Sequence, residues 1–290
     1  MRIAVVGTGA IGATFAAALE RAGHEPQLCA RTPRRAITVE RDGEPPRTLT
    51  APVRTDPAAA GGRADWVLLA VKAHQTAGAA PWLDALAGPG SVVVVLQNGV
   101  EQRELVEPLA HGAAVLPAVV WVPAEVVAPG RVRQRGPVEL TVPAGAEGRA
   151  LAELLGGGVT LSEDFATVAW RKLAVNAVAG LMVLARRRAG MFARDDVAEL
   201  ARAYAAEVFA VARAAGATPP PGAVEELLAY CRGLPADLGT SMLFDAEAGR
   251  TLEWDARNGV VRRVAARHGI ATPVSDVVVP LLAAASDPMG

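Results

Sequence analysis

The chain has 290 residues, 51% of them apolar, and a formal net charge of −1. That supports a sizeable core and excludes an electrostatic footprint for nucleic acid or an acidic membrane surface. Two cysteines, Cys29 and Cys231, stand far apart without CxxC spacing, which excludes a disulfide framework or zinc site and points to a reducing, cytoplasmic setting. No signal peptide is read ahead of the first strand, and no apolar stretch reaches membrane-span length free of Gly, Pro and charge, Leu173–Ala185 being too short.

Ile3–Val6 predicts a strand, and Ile11–Ala22 a helix with small residues on its packing face. Between them lies Gly7-Thr8-Gly9-Ala10-Ile11-Gly12, a GxGxxG placed where strand, turn and helix follow in the order a dinucleotide fingerprint requires. Gly7 makes the tight turn, Gly9 lets the backbone approach a pyrophosphate, and Gly12 lets the helix pack closely. Gln27–Ala30 predicts the second strand. At its end NAD binders place an acid for the ribose hydroxyls; this chain has Arg31, with Arg34 and Arg35 behind it, which suits the 2′-phosphate of NADP. Arg35–Val53 lacks helical periodicity and reads as an irregular excursion or a small hairpin.

Trp66–Val71 and Ser91–Leu96 are continuous apolar strands suited to burial on both faces, as in a parallel sheet covered by helices. Of the 29 basic residues only Lys72 and Lys172 are lysines, and the only asparagines are Asn98, Asn176 and Asn258. Arginine holds its proton near neutral pH, whereas a buried lysine can release one. Codon bias alone would leave such survivors at random places. Instead Lys72 and Asn98 each follow a buried strand, at the edge of the sheet where ligands bind. Ala113–Val122 is a further apolar run, Pro129-Gly130 a break, and Val138–Val142 a later strand at an edge.

After about residue 160 the pattern turns helical: Phe165–Arg186, Val197–Ala215, Ala223–Cys231, Thr251–His268 and Ser275–Ala285. Three glycines near Gly156–Ser162 mark the junction. The expected fold is α/β: an N-terminal Rossmann-type dinucleotide-binding domain over residues 1–162, followed by an all-α substrate and catalytic domain over 163–290. Lys172 and Asn176 share one helical face and can meet one substrate from one side. Asn258 reads as structural. His24, His74, His111 and His268 show no metal spacing, so no metal is expected. Trp66, Trp82 and Trp254 read as packing residues.

Read together, these residues resemble the ketopantoate reductase (2-dehydropantoate 2-reductase) family. The matching pieces are Gly7–Gly12, Arg31, Val71-Lys72-Ala73-His74-Gln75, Gln97-Asn98-Gly99, Trp170-Arg171-Lys172-Leu173-Ala174-Val175-Asn176, Ser241-Met242-Leu243, and Glu253 through Asn258-Gly259. They come in family order and span nearly the whole chain. The resemblance implies an NADPH-dependent reduction of a 2-keto acid to a 2-hydroxy acid, ketopantoate to pantoate by default, in pantothenate biosynthesis. Lys172 would be the general acid; Asn176, Ser241 and Asn98 would hold the substrate. Gly7, Thr8, Gly9, Ala10, Ile11, Gly12, Arg31, Lys72, Gln75, Asn98 and Glu253 would serve the cofactor. The active site would then lie in the cleft between the two domains, in a monomer or a homodimer.

The chain departs from the family at three places. Gly180 stands where a second helix asparagine is usual, Ala189-Gly190 replaces an Asn-Gly, and Phe244 replaces a glutamine. Losing polar partners weakens binding of a hydroxyl-rich substrate. A relative acting on a less polar ketone or imine is therefore an alternative. A non-catalytic NADP sensor is another, but it would not need Lys172 with Asn176.

Overall fold

A computed structural model describes residues 1–287. The chain divides into two compact units, Met1–Phe165 and Ala166–Gly290. In chain order the first contains β1 (Ile3–Val6), α1 (Ala10–Arg21), β2 (Gln27–Cys29), β3 (Thr38–Arg41), β4 (Arg47–Thr48), β5 (Val53–Arg54), β6 (Trp66–Leu69), α2 (Ala80–Leu86), β7 (Val92–Val95), α3 (Gln102–Val106) and β8 (Ala114–Pro117). There follow β9 (Val119–Val120), β10 (Ala124–Ala128), β11 (Arg131–Gln134), β12 (Leu140–Pro143), α4 (Ala146–Leu155) and β13 (Val159–Ser162).

Six strands form a parallel sheet in the order β5-β2-β1-β6-β7-β8. The chain runs outward from β1 to β5, returns to β6 beside β1, and runs outward the other way. The order reverses between β1 and β6, where open parallel sheets bind ligands beyond their carboxyl ends. The continuous apolar runs are explained by burial on both faces. Ile3, Val5, Leu68 and Val94 pack with Phe15 and Leu19 of α1 and Leu151 of α4. Val6, Val67, Leu69 and Val95 pack on the other face with Trp82 and Leu83 of α2 and Val106 of α3.

One open local expectation is resolved and two change. Residues 35–53 form a true hairpin, β3 with β4, and β3 also pairs parallel with β11 in a second sheet, β10-β11-β3-β4. That pairing joins segments about ninety residues apart and leaves no local periodicity to read. The apolar run 113–122 splits between β8 of the large sheet and β9 of a small sheet, β13-β12-β9. The strand expected at an edge, now Leu140–Pro143, lies at the centre of that small sheet.

The second unit is helical: α5 (Phe165–Ala185, whose first residue closes the first unit), α6 (Asp195–Ala214), α7 (Ala223–Gly233), α8 (Ser241–Glu247), α9 (Val260–His268) and α10 (Pro273–Ser286). α8 was not foreseen, and the helix expected from Thr251 begins only at Trp254, passing through a π-helical turn, Asp255–Gly259, before α9. By length and composition alone α5 is long and apolar enough to cross a membrane, although Gly180 interrupts its apolar run. It also carries Arg171, Lys172 and Asn176, and Leu173, Ala174, Ala177, Val178 and Leu181 are buried within the described structure, as in a core helix. α10 is tied down by Glu207 of α6, whose carboxylate accepts from the Val274 and Ser275 amides at 2.8 and 2.9 Å. This satisfies amides of the first turn of α10, which have no partner within the helix.

Candidate active site

Four adjacent strands of the large sheet carry the cofactor candidates at their carboxyl ends: β2 leads to Arg31, β1 to Gly7–Gly12, β6 to Lys72 and Gln75, and β7 to Asn98. Gly7 has φ +99°, and a Cβ there would stand 2.7 Å from the Val71 amide nitrogen. A Cβ on Gly12 would stand 1.8 Å from the Gly7 carbonyl oxygen, so only glycine closes this loop. The space a Gly9 Cβ would take is empty to 4 Å. α1 starts directly after Gly9, with no side-chain cap and no acid in its first turn. Its amides and the positive end of its dipole therefore suit a diphosphate, and the loop fits a dinucleotide. Thr8, Ala10 and Ile11 line the same turn, half-buried, while Arg31, Arg34 and Arg35 are exposed beyond β2.

A buried polar network braces these strand ends. Gln97 Nε2 donates to the Val71 carbonyl at 3.0 Å and to Thr76 Oγ1 at 2.9 Å. Thr76 Oγ1 donates to the Ala73 carbonyl at 2.8 Å. Gln102 Nε2 donates to the carbonyls of Gln97 and of Ala118, the latter at 3.0 Å, and its Oε1 accepts from the Ala118 amide at 3.1 Å. The loops bearing Lys72, Gln75 and Asn98 are thus cross-linked across β6, β7 and β8. Thr76 and Gln102 were not singled out from the sequence. Cys29, at the end of β2, is buried, and burial pushes its thiol up to about 12, so it is inert.

In the second unit Lys172 and Asn176 lie one turn apart on α5, both half-buried. Burial, followed by the charge of Arg257, pushes the Lys172 ammonium down to about 8. Arg257 was missed by the sequence reading. It is buried in the π-helical turn, and its Nη2 donates to Ser241 Oγ at 2.9 Å and Glu253 Oε2 at 3.3 Å. The structure therefore brings Ser241, Glu253 and Arg257 together, with Arg257 bearing on Lys172. Glu253, expected at the cofactor, is a buried partner of Arg257.

Asn258 is structural, as expected. It is fully buried and donates to the Ala177 carbonyl at 3.0 Å and the Tyr204 hydroxyl at 2.9 Å. This accounts for Gly180: a Cβ there would stand 2.9 Å from Asn258 Nδ2 and 3.2 Å from Leu282 Cδ1, so position 180 points into the helical core. At the second departure the Ala189 and Gly190 amides donate to the Leu238 and Ala236 carbonyls, each at 2.9 Å. At the third, the Arg188 guanidinium lies 5.0 Å from the centre of the Phe244 ring, and its Nη2 reaches Glu247 at 3.0 Å. Phe244 thus supports a cation–π contact where an amide was expected. Among the described residues no cluster of His, Cys, Asp or Glu could hold a metal ion.

The family description "Ketopantoate reductase PanE/ApbA" matches residues 3–147, and its C-terminal counterpart matches residues 164–286. The chain is 53% identical over 291 residues to a 2-dehydropantoate 2-reductase of Mycobacterium tuberculosis, covering 99% of both. A PanE/ApbA family ketopantoate reductase structure from Ralstonia eutropha JMP134 matches with a TM-score of 0.89 at 30% identity, over 99% of each chain. A dimeric ketopantoate reductase from Staphylococcus aureus matches with a TM-score of 0.89 at 25% identity, again over 99% of each chain.

Proposed function

The chain belongs to the ketopantoate reductase family, and on that premise we propose that it reduces 2-dehydropantoate to pantoate with NADPH, using Lys172 as the proton donor. It is an oxidoreductase acting on a C=O/CH–OH pair. NADPH, when bound, supplies the hydride. The Gly7–Gly12 turn and the first amides of α1 take the pyrophosphate, Arg31 the 2′-phosphate, and Lys72, Gln75 and Asn98 the rest of the cofactor. Asn176 and Ser241 orient the keto acid, and Lys172 gives its proton to the carbonyl oxygen. The observation that carries this reading is Lys172 itself, a half-buried amine drawn down to about 8 on the helix that also presents Asn176. A group so tuned is charged at neutral pH yet close enough to it to give up a proton. The two free, buried cysteines accord with a cytoplasmic setting, and a homodimer is the assembly to test, given the dimeric Staphylococcus aureus relative.

The test is NADPH oxidation, followed by absorbance, on a panel of keto acids that includes ketopantoate. Ketopantoate is expected to be turned over, and Lys172→Ala to lower kcat by about a hundredfold or more with folding intact. The exchange at Phe244 and Ala189-Gly190 favours the second reading, a less polar ketone. Turnover of another panel member without ketopantoate would replace the substrate and keep the mechanism.

A further inference from the structure

Arg257 is 5% exposed, and its Nε is buried with no hydrogen-bond partner among the described residues. Removing a guanidinium from water costs several kcal/mol unless its donors are met. One carboxylate, Glu253 at 3.3 Å, and one hydroxyl, Ser241 at 2.9 Å, meet only part of that need. The local backbone is also unusual. Arg257 and Asn258 are both buried. They lie within the π-helical turn Asp255–Gly259, a wider turn of a kind found frequently at functional sites. A buried charge on such a turn, touching Ser241 and bearing on Lys172, is placed for chemistry more than for packing.

We propose that Arg257 is a positioning residue of the reduction, which orients the Ser241 hydroxyl toward the substrate carboxylate and sets a positive charge against the Lys172 ammonium. This rests on the reductase reading above. By donating to Ser241 Oγ, Arg257 occupies that oxygen and leaves the hydroxyl hydrogen to be donated to the carboxylate. As hydride reaches the carbonyl carbon, the proton leaves Lys172 Nζ for the carbonyl oxygen, and the lysine becomes a neutral amine. Arg257 repels the ammonium and not the amine, so its charge favours the transfer. Glu253, in the same cluster, pairs with Arg257 at 3.3 Å, and Arg171, one residue back on α5, pairs with Glu226 of α7 at 2.9 Å.

With only two lysines in the chain, protein labelled with ¹³C at lysine Cε gives two resonances, and Lys72→Arg assigns them. The Lys172 resonance is expected to titrate near 8 in the wild type. It should move up by about one unit in Arg257→Met. Arg257→Gln, which keeps a donor for Ser241 without the charge, should move it equally while leaving KM near the wild-type value. Arg257→Met and Ser241→Ala should each raise KM for the keto acid about tenfold, ~1.4 kcal/mol, and the double variant no further than the worse single one. An unmoved Lys172 titration in folded Arg257→Gln, or additive KM effects, overturns the proposal. If the wild type does not reduce ketopantoate, the substrate assignment fails, and the Cε titration still decides whether Arg257 acts on Lys172.

Discussion

Lys172 is shifted first by burial and second by Arg257, and the sign of its pH dependence follows. With Lys172 as the proposed proton donor, kcat for reduction should fall as pH rises through about 8, while the reverse oxidation, which would use the amine, should rise. For stability the sign is opposite to that of a salt-bridged lysine. The folded state releases its proton first, so between about 8 and the ordinary lysine value the unfolded chain binds more protons and stability rises with pH. Below that window the buried ammonium is a constant cost. Lys172→Met should therefore stabilise the protein more at pH 7 than at pH 10 in urea unfolding; an equal effect at both would mean that the amine is not shifted. Gly180 makes a second prediction. Gly180→Asn, which restores the amide usual in the family, should destabilise by about 1–3 kcal/mol, because Asn258 and Leu282 already fill the space. A neutral or stabilising result in urea titration would show that position 180 faces open space after all.

At the scale of elements, the β1–α1 turn bears two of the roles that the motif assigns to its glycines. Gly12 is required by the loop's own geometry, with its Cβ direction blocked by the Gly7 carbonyl oxygen. Gly12→Ala should cost more than about 2 kcal/mol, or prevent folding. Gly9 is unobstructed in the protein itself. Gly9→Ala should change stability by less than about 0.5 kcal/mol and still weaken NADPH binding about tenfold, ~1.4 kcal/mol, read by cofactor fluorescence titration. Equal loss of stability in both variants would mean that the loop has no ligand-facing side. The sequence assigned the two glycines different roles; the direction of each missing Cβ gives each role its steric measure. The same holds for Thr76 and Gln102, whose buried hydrogen bonds join segments more than twenty residues apart or cross between strand ends.

At the scale of the molecule, the proposed reading assigns a different part of the chemistry to each unit, the cofactor turn and strand ends to the first and Lys172, Asn176, Ser241 and Arg257 to the second. A ligand that binds only the folded state raises stability by mass action, about 2.7 kcal/mol at a hundredfold excess over Kd. NADPH should therefore raise the unfolding temperature of the first unit in calorimetry, NADH should do so less, and Arg31→Ala should erase the difference. An equal response of the wild type to both cofactors removes Arg31 from the 2′-phosphate role.

Much of the fold and part of the site were legible from local signals. Continuous apolar strands, a GxGxxG between strand and helix, and a lysine–asparagine pair four residues apart are short-range patterns, and backbone periodicity converts them directly into buried strands, a turn and a helix face. Local patterns thus gave a parallel α/β unit followed by helices, the placement of Lys72 and Asn98 at strand ends, and Lys172 with Asn176 on one face of α5. Tertiary structure decided what depends on residues distant in the chain. It paired β3 with β11, made Leu140–Pro143 a central strand, turned Gly180 toward Asn258, and brought Arg257 to Ser241 and Glu253. The physical reason is that desolvation, steric fit and Coulomb energy depend on which atoms surround a group in space, and sequence spacing does not encode those neighbours. An arginine among so many arginines carried no local mark; burial in a π-helical turn beside an amine is what set Arg257 apart.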